Sequence, residues 1–309
     1  MAVACLLICY IEQIISRGFI RGTENKMQTK EPEWTEIIEP HGHIFDLKLK
    51  ELWKYRDLIY LFVHRDFVAQ YKQTILGPAW HFIQPLFTTI TFTIIFGKIA
   101  QISTDGVPPF IFYMAGTVIW TYFSGVLTAT SGTFTGNAGI FGKVYFPRLA
   151  VPVAHVVSKL IAFAIQFVFF LFFLGYFIWK GSDIHPNIWI IATPLLLLMM
   201  AGFGFSLGII ISALTTRYRD LTVLVGFGVQ LLMYASPVIY PLSALSEEWR
   251  FWMGLNPIAP IIELFRYAYL GAGSLNLLML GTSFLIIAVI LFIGILIFNR
   301  TERTFMDTV

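Results

Sequence analysis

Six apolar stretches dominate this chain and leave few folds open to it. They lie at about 79–98, 109–131, 153–179, 188–213, 222–241 and 277–298, each near the roughly 20 residues that an α-helix needs to cross a hydrocarbon layer. Within lipid the backbone N–H and C=O groups must pair inside the segment, which makes these stretches helices. Composition agrees: 57% of the 309 residues are hydrophobic and only 13% charged, against about 25% charge in a soluble domain. The expected fold class is all-α integral membrane. It comprises six transmembrane helices, an N-terminal amphipathic interfacial helix, and short re-entrant helices before the last span.

The flanking segments set the organisation. Residues 1–46 are expected to form a cytoplasmic arm, polar from Met27 onward with Pro32 and Pro40, in which 1–26 read as an over-extended start: the apolar run at 2–11 is a poor signal peptide, with its basic residues after it. Over 47–76, Leu49, Leu52, Trp53, Ile59, Tyr60, Phe62, Val63 and Phe67 recur at mostly helical spacing among Lys48, Lys50, Lys54, Arg56, Arg65 and Lys72. That pattern predicts the basic interfacial helix. The transmembrane domain covers 77–299 and the tail 300–309. Lys143 and Arg148, Arg217 and Arg219, and Arg300 and Arg303 fall in alternate loops and the tail, whereas Asp105 and Asp183 fall in the others. The bias of basic residues toward the inside puts both termini in the cytoplasm. In the fifth loop, Ile258 to Leu270 is half-apolar and too short to cross, as expected of a helix dipping into the outer leaflet.

The chemistry missing from the sequence narrows the function. No GxxxxGK[ST] phosphate loop occurs; at Gly142-Lys143 the first Gly is replaced by Asn137 and the hydroxyl residue by Val144. His41 and His43 are the only closely paired histidines and have no Glu or Cys at ligand spacing, so no metal site is expected. The net charge of +3 is too small to point to nucleic acid. Asp105, Asp183, Asp220, Glu247, Glu248 and Glu263 are the acids between Gly77 and Arg300, and none lies in the middle of a span. Pumps driven by protons or sodium usually place carboxylates there. The domain is either passive or driven by a partner.

Several segments together resemble one family. They are Arg65-Asp66 followed by Gln70-Tyr71-Lys72-Gln73-Thr74-Ile75-Leu76-Gly77, Trp80 and Pro85; Lys143-Val144-Tyr145-Phe146-Pro147-Arg148 with Pro152; Arg217-Tyr218-Arg219-Asp220; Ser236-Pro237-Val238-Ile239-Tyr240-Pro241; and Asn256-Pro257 with Arg266. From about residue 47 onward the chain is similar to the permease subunits of ABC-2 type polysaccharide exporters, which handle O-antigen, teichoic acid and capsular polysaccharide. The resemblance implies a homodimer in the bacterial inner membrane, two copies of a separate ABC ATPase that bind ATP and Mg, and a glycan on a polyprenyl diphosphate as cargo. This chain itself would hold no cofactor. An ABC-2 permease for a drug or a lipid, or a passive channel, is the alternative.

Site residues follow as expectations. Arg65, Asp66, Phe146, Pro147, Arg148, Arg217, Tyr218, Arg219 and Asp220 are candidates for coupling to the ATPase. Tyr113, Trp120, Tyr122, Phe123, Tyr234 and Tyr240 are candidates for lining the path, because aromatic faces stack on sugar C–H groups without reading their identity. Asn256, Pro257, Glu263 and Arg266 are gate candidates; Glu263 and Arg266 form either a plain local ion pair or a latch. Phe163, Phe167, Phe170 and Phe177 share one face of the third span and either pack or line the path. Gly204, Gly208 and Ser212 recur every four residues and bring two helices close, within one subunit or between two.

Overall fold

The computed structural model describes residues 49–72, 77–144, 146–218 and 220–308. Every regular element among them is helical. Two helices, α1 (Leu49–Lys54) and α2 (Arg56–Tyr71), precede the spans. They are separated at Tyr55, so the predicted interfacial segment is two pieces and not one helix. Its apolar side chains also point two ways: Phe62 and Val63 are buried, while Trp53 and Leu61 are exposed. A helix wedged between protein and lipid needs apolar groups toward both.

Gly77, with φ of 50°, turns the chain into the first span, a left-handed conformation that other residues adopt only under strain. The span consists of α3 (Trp80–Phe92) continued by a π-helical stretch, Thr93–Ile99. Pro85 inside α3 removes one backbone hydrogen bond. Further on lie α4 (Pro109–Ser131), α5 (Thr133–Phe141) and α6 (Ala150–Trp179). A 3₁₀ turn, Ile188–Ala192, leads into α7 (Thr193–Thr215). Then come α8 (Leu221–Tyr234), α9 (Glu247–Gly254), α10 (Ile258–Leu270) and α11 (Leu277–Thr308).

Five helices are long and apolar enough to cross a membrane: Trp80–Ile99, Pro109–Ser131, Ala150–Trp179, Ile188–Thr215 and Leu277–Glu302. The fifth of the six expected stretches differs. Its helix, α8, stops at Tyr234 after 14 residues, about 21 Å, and not at Pro241. Pro237 has no N–H to continue the ladder and disfavours helix at the residue before it, and the carbonyls beyond it are claimed by another element.

α4 is the central post. In its most apolar window 78% of residues are buried, against 17% in the first and last spans, and a helix apolar all round belongs in the middle. α7 packs closest to it. A Cβ on Gly208 would lie 2.6 Å from Thr130 Cβ, and one on Gly204 would lie 2.9 Å from the Phe123 carbonyl. Ser212 Oγ accepts the Phe134 N–H at 3.1 Å, satisfying a buried donor in the first turn of α5. The four-residue repeat of small residues therefore serves packing within the subunit. So does the ring-rich face of α6: Phe163 and Phe170 are buried, Phe167 and Phe177 pack on the core, and Phe172 and Trp179 point outward.

The molecule has two ends. α2, α5, the segment 142–149 and the C-terminal part of α11 meet at one, here termed the terminal face. The other, the far face, gathers the end of the first span, the start of α4 and the end of α6, where Phe110 lies 5.0 Å from Phe173 and 6.1 Å from Phe177.

Candidate functional site

On the far face, two of the sequence motifs form a single construction. After α8 the chain runs through residues 235–242 without regular helix until the short turn Leu242–Ala244. Arg266, fully buried on α10, reaches across to it: Nη1 donates to the Pro237 carbonyl at 2.7 Å and Nη2 to the Val238 carbonyl at 2.6 Å, with Tyr240 O at 3.4 Å from Nη1. The guanidinium also lies over the Phe112 ring of α4, 3.7 Å from its centroid, a favourable cation–π geometry. Room for it comes from Gly116, where a Cβ would fall 2.7 Å from Arg266 Nη2 and 2.8 Å from the Val238 carbonyl. Burial pulls the guanidinium down to about 10, with Glu263 opposing the shift, so Arg266 remains a cation at neutral pH.

Glu263 completes the construction. It lies 4.0 Å from Arg266, too far for a strong hydrogen bond, and its Oε1 instead accepts the Leu242 N–H at 3.1 Å. Gly273, at φ of 103°, passes so close that a Cβ would meet Glu263 Oε2 at 2.7 Å. Asn256 holds the other end: Nδ2 donates to the Ala235 carbonyl at 3.1 Å and to Ser236 Oγ at 2.9 Å, while Oδ1 accepts the Ile258 N–H at 3.1 Å. Pro257 is the buried residue before α10. Arg250 of α9 adds bonds to the Leu242 and Ser243 carbonyls, and Ser243 Oγ donates to Asp105 at 2.6 Å. The expected Glu263–Arg266 pair is thus less a pair than two pins, one for carbonyls and one for an N–H of the same segment. Arginine suits the first role because its planar fork offers several donors at once.

The terminal face is assembled from rings. Phe146 is buried between Phe62 of α2, at 5.5 Å, and Phe141 of α5, at 5.6 Å. Phe134 stacks on Phe298 of α11 at 4.7 Å. Half-buried Arg148 donates to the Glu302 carbonyl and lies 5.7 Å over the Phe141 ring, with Pro147 beside it. Arg65 bonds Asp66 at 2.8 Å, and Asp66 Oδ2 lies 3.1 Å from His155 Nδ1 on α6. Burial pushes the Asp66 carboxyl up, but hydrogen bonds and charge from His155 and Arg65 outweigh it and hold it below its usual range. These expected coupling residues are therefore occupied inside the subunit. Arg217, Tyr218 and Asp220 are exposed between α7 and α8, with Arg217 5.6 Å over the Tyr218 ring. Arg219 lies outside the described residues.

Four of the six expected path-lining residues lie inside the subunit. Tyr113, Trp120, Tyr122 and Phe123 are buried in the core of the subunit. Phe123 stacks on Phe203 at 5.2 Å and Tyr122 packs on Phe163 at 5.4 Å. They sit on the covered sides of α4; its partly uncovered side carries Thr121, Ser124, Gly125 and Thr128. Tyr234 is exposed and Tyr240 half-buried, the Tyr240 hydroxyl donating to the Tyr234 carbonyl at 3.3 Å. Gly116, Phe112, Asp105 and Arg250 were not singled out from sequence, because nothing local marks them. His155 was legible in principle: a titratable residue inside a long apolar segment is rare enough to notice.

Among the described residues no three His, Cys, Asp or Glu side chains gather to hold a metal. The chain belongs to the ABC-2 type transporter family, whose profile matches residues 57–270. Permeases of this family pair with ABC ATPase subunits. The chain is similar to the O-antigen export system permease protein RfbA of Klebsiella pneumoniae, with 26% identity over 255 residues, 81% of this chain and 94% of that one. RfbA of Myxococcus xanthus is 26% identical over 222 residues, covering 71% and 82% of the two chains. The polysialic acid transport protein KpsM of Escherichia coli is 21% identical over 253 residues, covering 79% and 93%.

Proposed function

We propose that this chain is the membrane channel subunit of an ATP-driven exporter that moves a polyprenyl-diphosphate-linked, O-antigen-like polysaccharide across the bacterial inner membrane. Two copies form a homodimer, and two ABC ATPase subunits, which bind ATP and Mg, dock on the terminal face. That face is cytoplasmic, as are both termini, in keeping with the basic residues of its loops.

The observation that carries this reading is the solid interior of the subunit. With the aromatic residues of α4 buried, and only the side of Thr121, Ser124, Gly125 and Thr128 partly uncovered, the route is placed between two copies. α8, in which Val225 is the one buried residue, and the first span, largely uncovered, supply faces for it. The likeness to permeases named for O-antigen export and polysialic acid transport supports a glycan as cargo. Exposed Arg217 and Asp220, with Tyr218, are among the terminal-face residues left over for an ATPase.

Deleting the gene should abolish surface polysaccharide while the lipid-linked polymer accumulates inside, and affinity purification of the chain should recover an ABC ATPase at one copy per permease. Unchanged surface polysaccharide, with loss of a drug or lipid export activity instead, would assign the chain to a different cargo.

A further inference from the structure

Lys159 is a cation that neither face has used. It lies on α6 about twenty residues before Trp179, or ~30 Å of helix. The far-face ends of the first span, α4 and α6 meet: a Cβ on Gly97 would touch Pro109 at 3.0 Å, and Phe110 packs on Phe177. A full hydrocarbon thickness of roughly 30 Å therefore separates Lys159 from the far face. In an upright span that length puts Lys159 close to the headgroup layer of the other leaflet.

The side chain is turned into the protein. Its stem crosses Gly125 of α4, where a Cβ would come within 3.3 Å of Lys159 Cδ. No hydrogen bond or ion pair is formed by its ammonium among the described residues. Asp66 of α2 and His81 of α3 lie within electrostatic reach of it. Asp66 is already engaged, Oδ1 by Arg65 and Oδ2 facing His155. The junction of α2, α3, α4 and α6 thus brings together two basic side chains, Arg65 and Lys159, two histidines and one acid. A half-buried ammonium with no direct ion pair or hydrogen bond is costly inside a membrane protein, and the headgroup layer is a supply of anions.

We propose that Lys159, beside His81, seats a phosphate group of an inner-leaflet lipid. The chemistry recognised is a phosphate or diphosphate ester on a hydrocarbon tail, which an ammonium binds as a point charge. Two lipids supply it: an anionic phospholipid, or the polyprenyl diphosphate carrier, the latter resting on the polysaccharide-export reading. The seat itself requires only the inner-leaflet orientation.

Native mass spectrometry of the purified permease–ATPase complex tests both sources, with phosphatidylglycerol and a sugar-free polyprenyl diphosphate as separate probes. Lys159→Met should weaken binding of at least one probe about tenfold, the scale of one charge-assisted hydrogen bond, and Lys159→Arg should retain it. Loss confined to phosphatidylglycerol upholds the seat with a phospholipid occupant and removes the carrier from it. Equal binding of both probes by Lys159→Met and the native chain overturns the proposal. A measurement on the native chain guards against a folding defect: the bound probe should slow modification of Lys159 by an amine-reactive reagent, read by peptide mass. Labelling left unchanged by both probes also overturns it.

Discussion

The two faces use charged residues in opposite ways. On the far face Arg266 and Glu263 are buried and their polar atoms point at the backbone of one irregular segment. On the terminal face the structure is held by rings, Phe62, Phe146, Phe141, Phe134 and Phe298, and several charges stay outside. A segment with no helical ladder must find partners for its carbonyls, since lipid offers none. A face that receives a partner needs charges still free to pair. Arginine inward fixes a shape; arginine outward awaits one.

That contrast can be broken by substitution, and the largest effect should come from Arg266. Arg266→Ala would leave the Pro237 and Val238 carbonyls and the Glu263 charge buried without it, a loss of about 3–5 kcal/mol. Thermal unfolding of the purified protein should shift strongly downward and surface polysaccharide should disappear. Arg266→Lys should not rescue either, because one ammonium cannot span the same carbonyls. A lysine variant of native stability would refute the two-pin account.

Gly116→Ala is next. Its methyl would press on Arg266 Nη2 and the Val238 carbonyl, at a cost of about 1–3 kcal/mol. The loss should shrink in an Arg266→Ala background, because the two changes strike one contact; additive losses in a double-mutant cycle would break the link.

Asp66→Asn should cost about 1 kcal/mol or less, the pair being partly exposed. Its pH dependence has a definite sign. The Asp66 carboxyl is held below its ordinary value in the folded protein, so its contribution is complete above that ordinary value, near 4, and fades as pH falls through the lower folded value. The stability gap between the native chain and Asp66→Asn should therefore be constant at neutral pH and close in acid. A gap that widened on acidification would contradict the assignment.

The smallest effect on stability should belong to Arg217→Ala combined with Tyr218→Ala, within about 0.5 kcal/mol. Here the readout is coupling: the ATPase should co-purify and hydrolyse ATP while export falls. Normal surface polysaccharide would place the ATPase contact elsewhere on the terminal face.

Much of the fold was legible because bilayer thickness imposes a length on each apolar run, and the long spans lie close to where the sequence puts them. The early end of α8 at Tyr234 was harder to see, since Ser236 to Pro241 is apolar enough to extend a span on hydropathy alone. Pro237 was the available signal, and its weight became clear with Arg266 bound to the carbonyls beside it. Asn256, Glu263 and Arg266, close in sequence, all bond to the segment 235–242. The burial of the α4 aromatics was not legible, because an aromatic face tells what a side chain can stack on, not which neighbour covers it.

By itself the sequence determined that this chain lives in a membrane as helices and that it lacks a phosphate loop. Those follow from composition, run length and motif, which are local properties. Tertiary structure alone decided which charges are spent inward and which are left for a partner. It brought Gly116 and Phe112 to Arg266 across more than 140 positions, and Asp66 to His155. Such pairings depend on which helix faces which, and that is settled by packing around α4, where single glycines admit or exclude a neighbour.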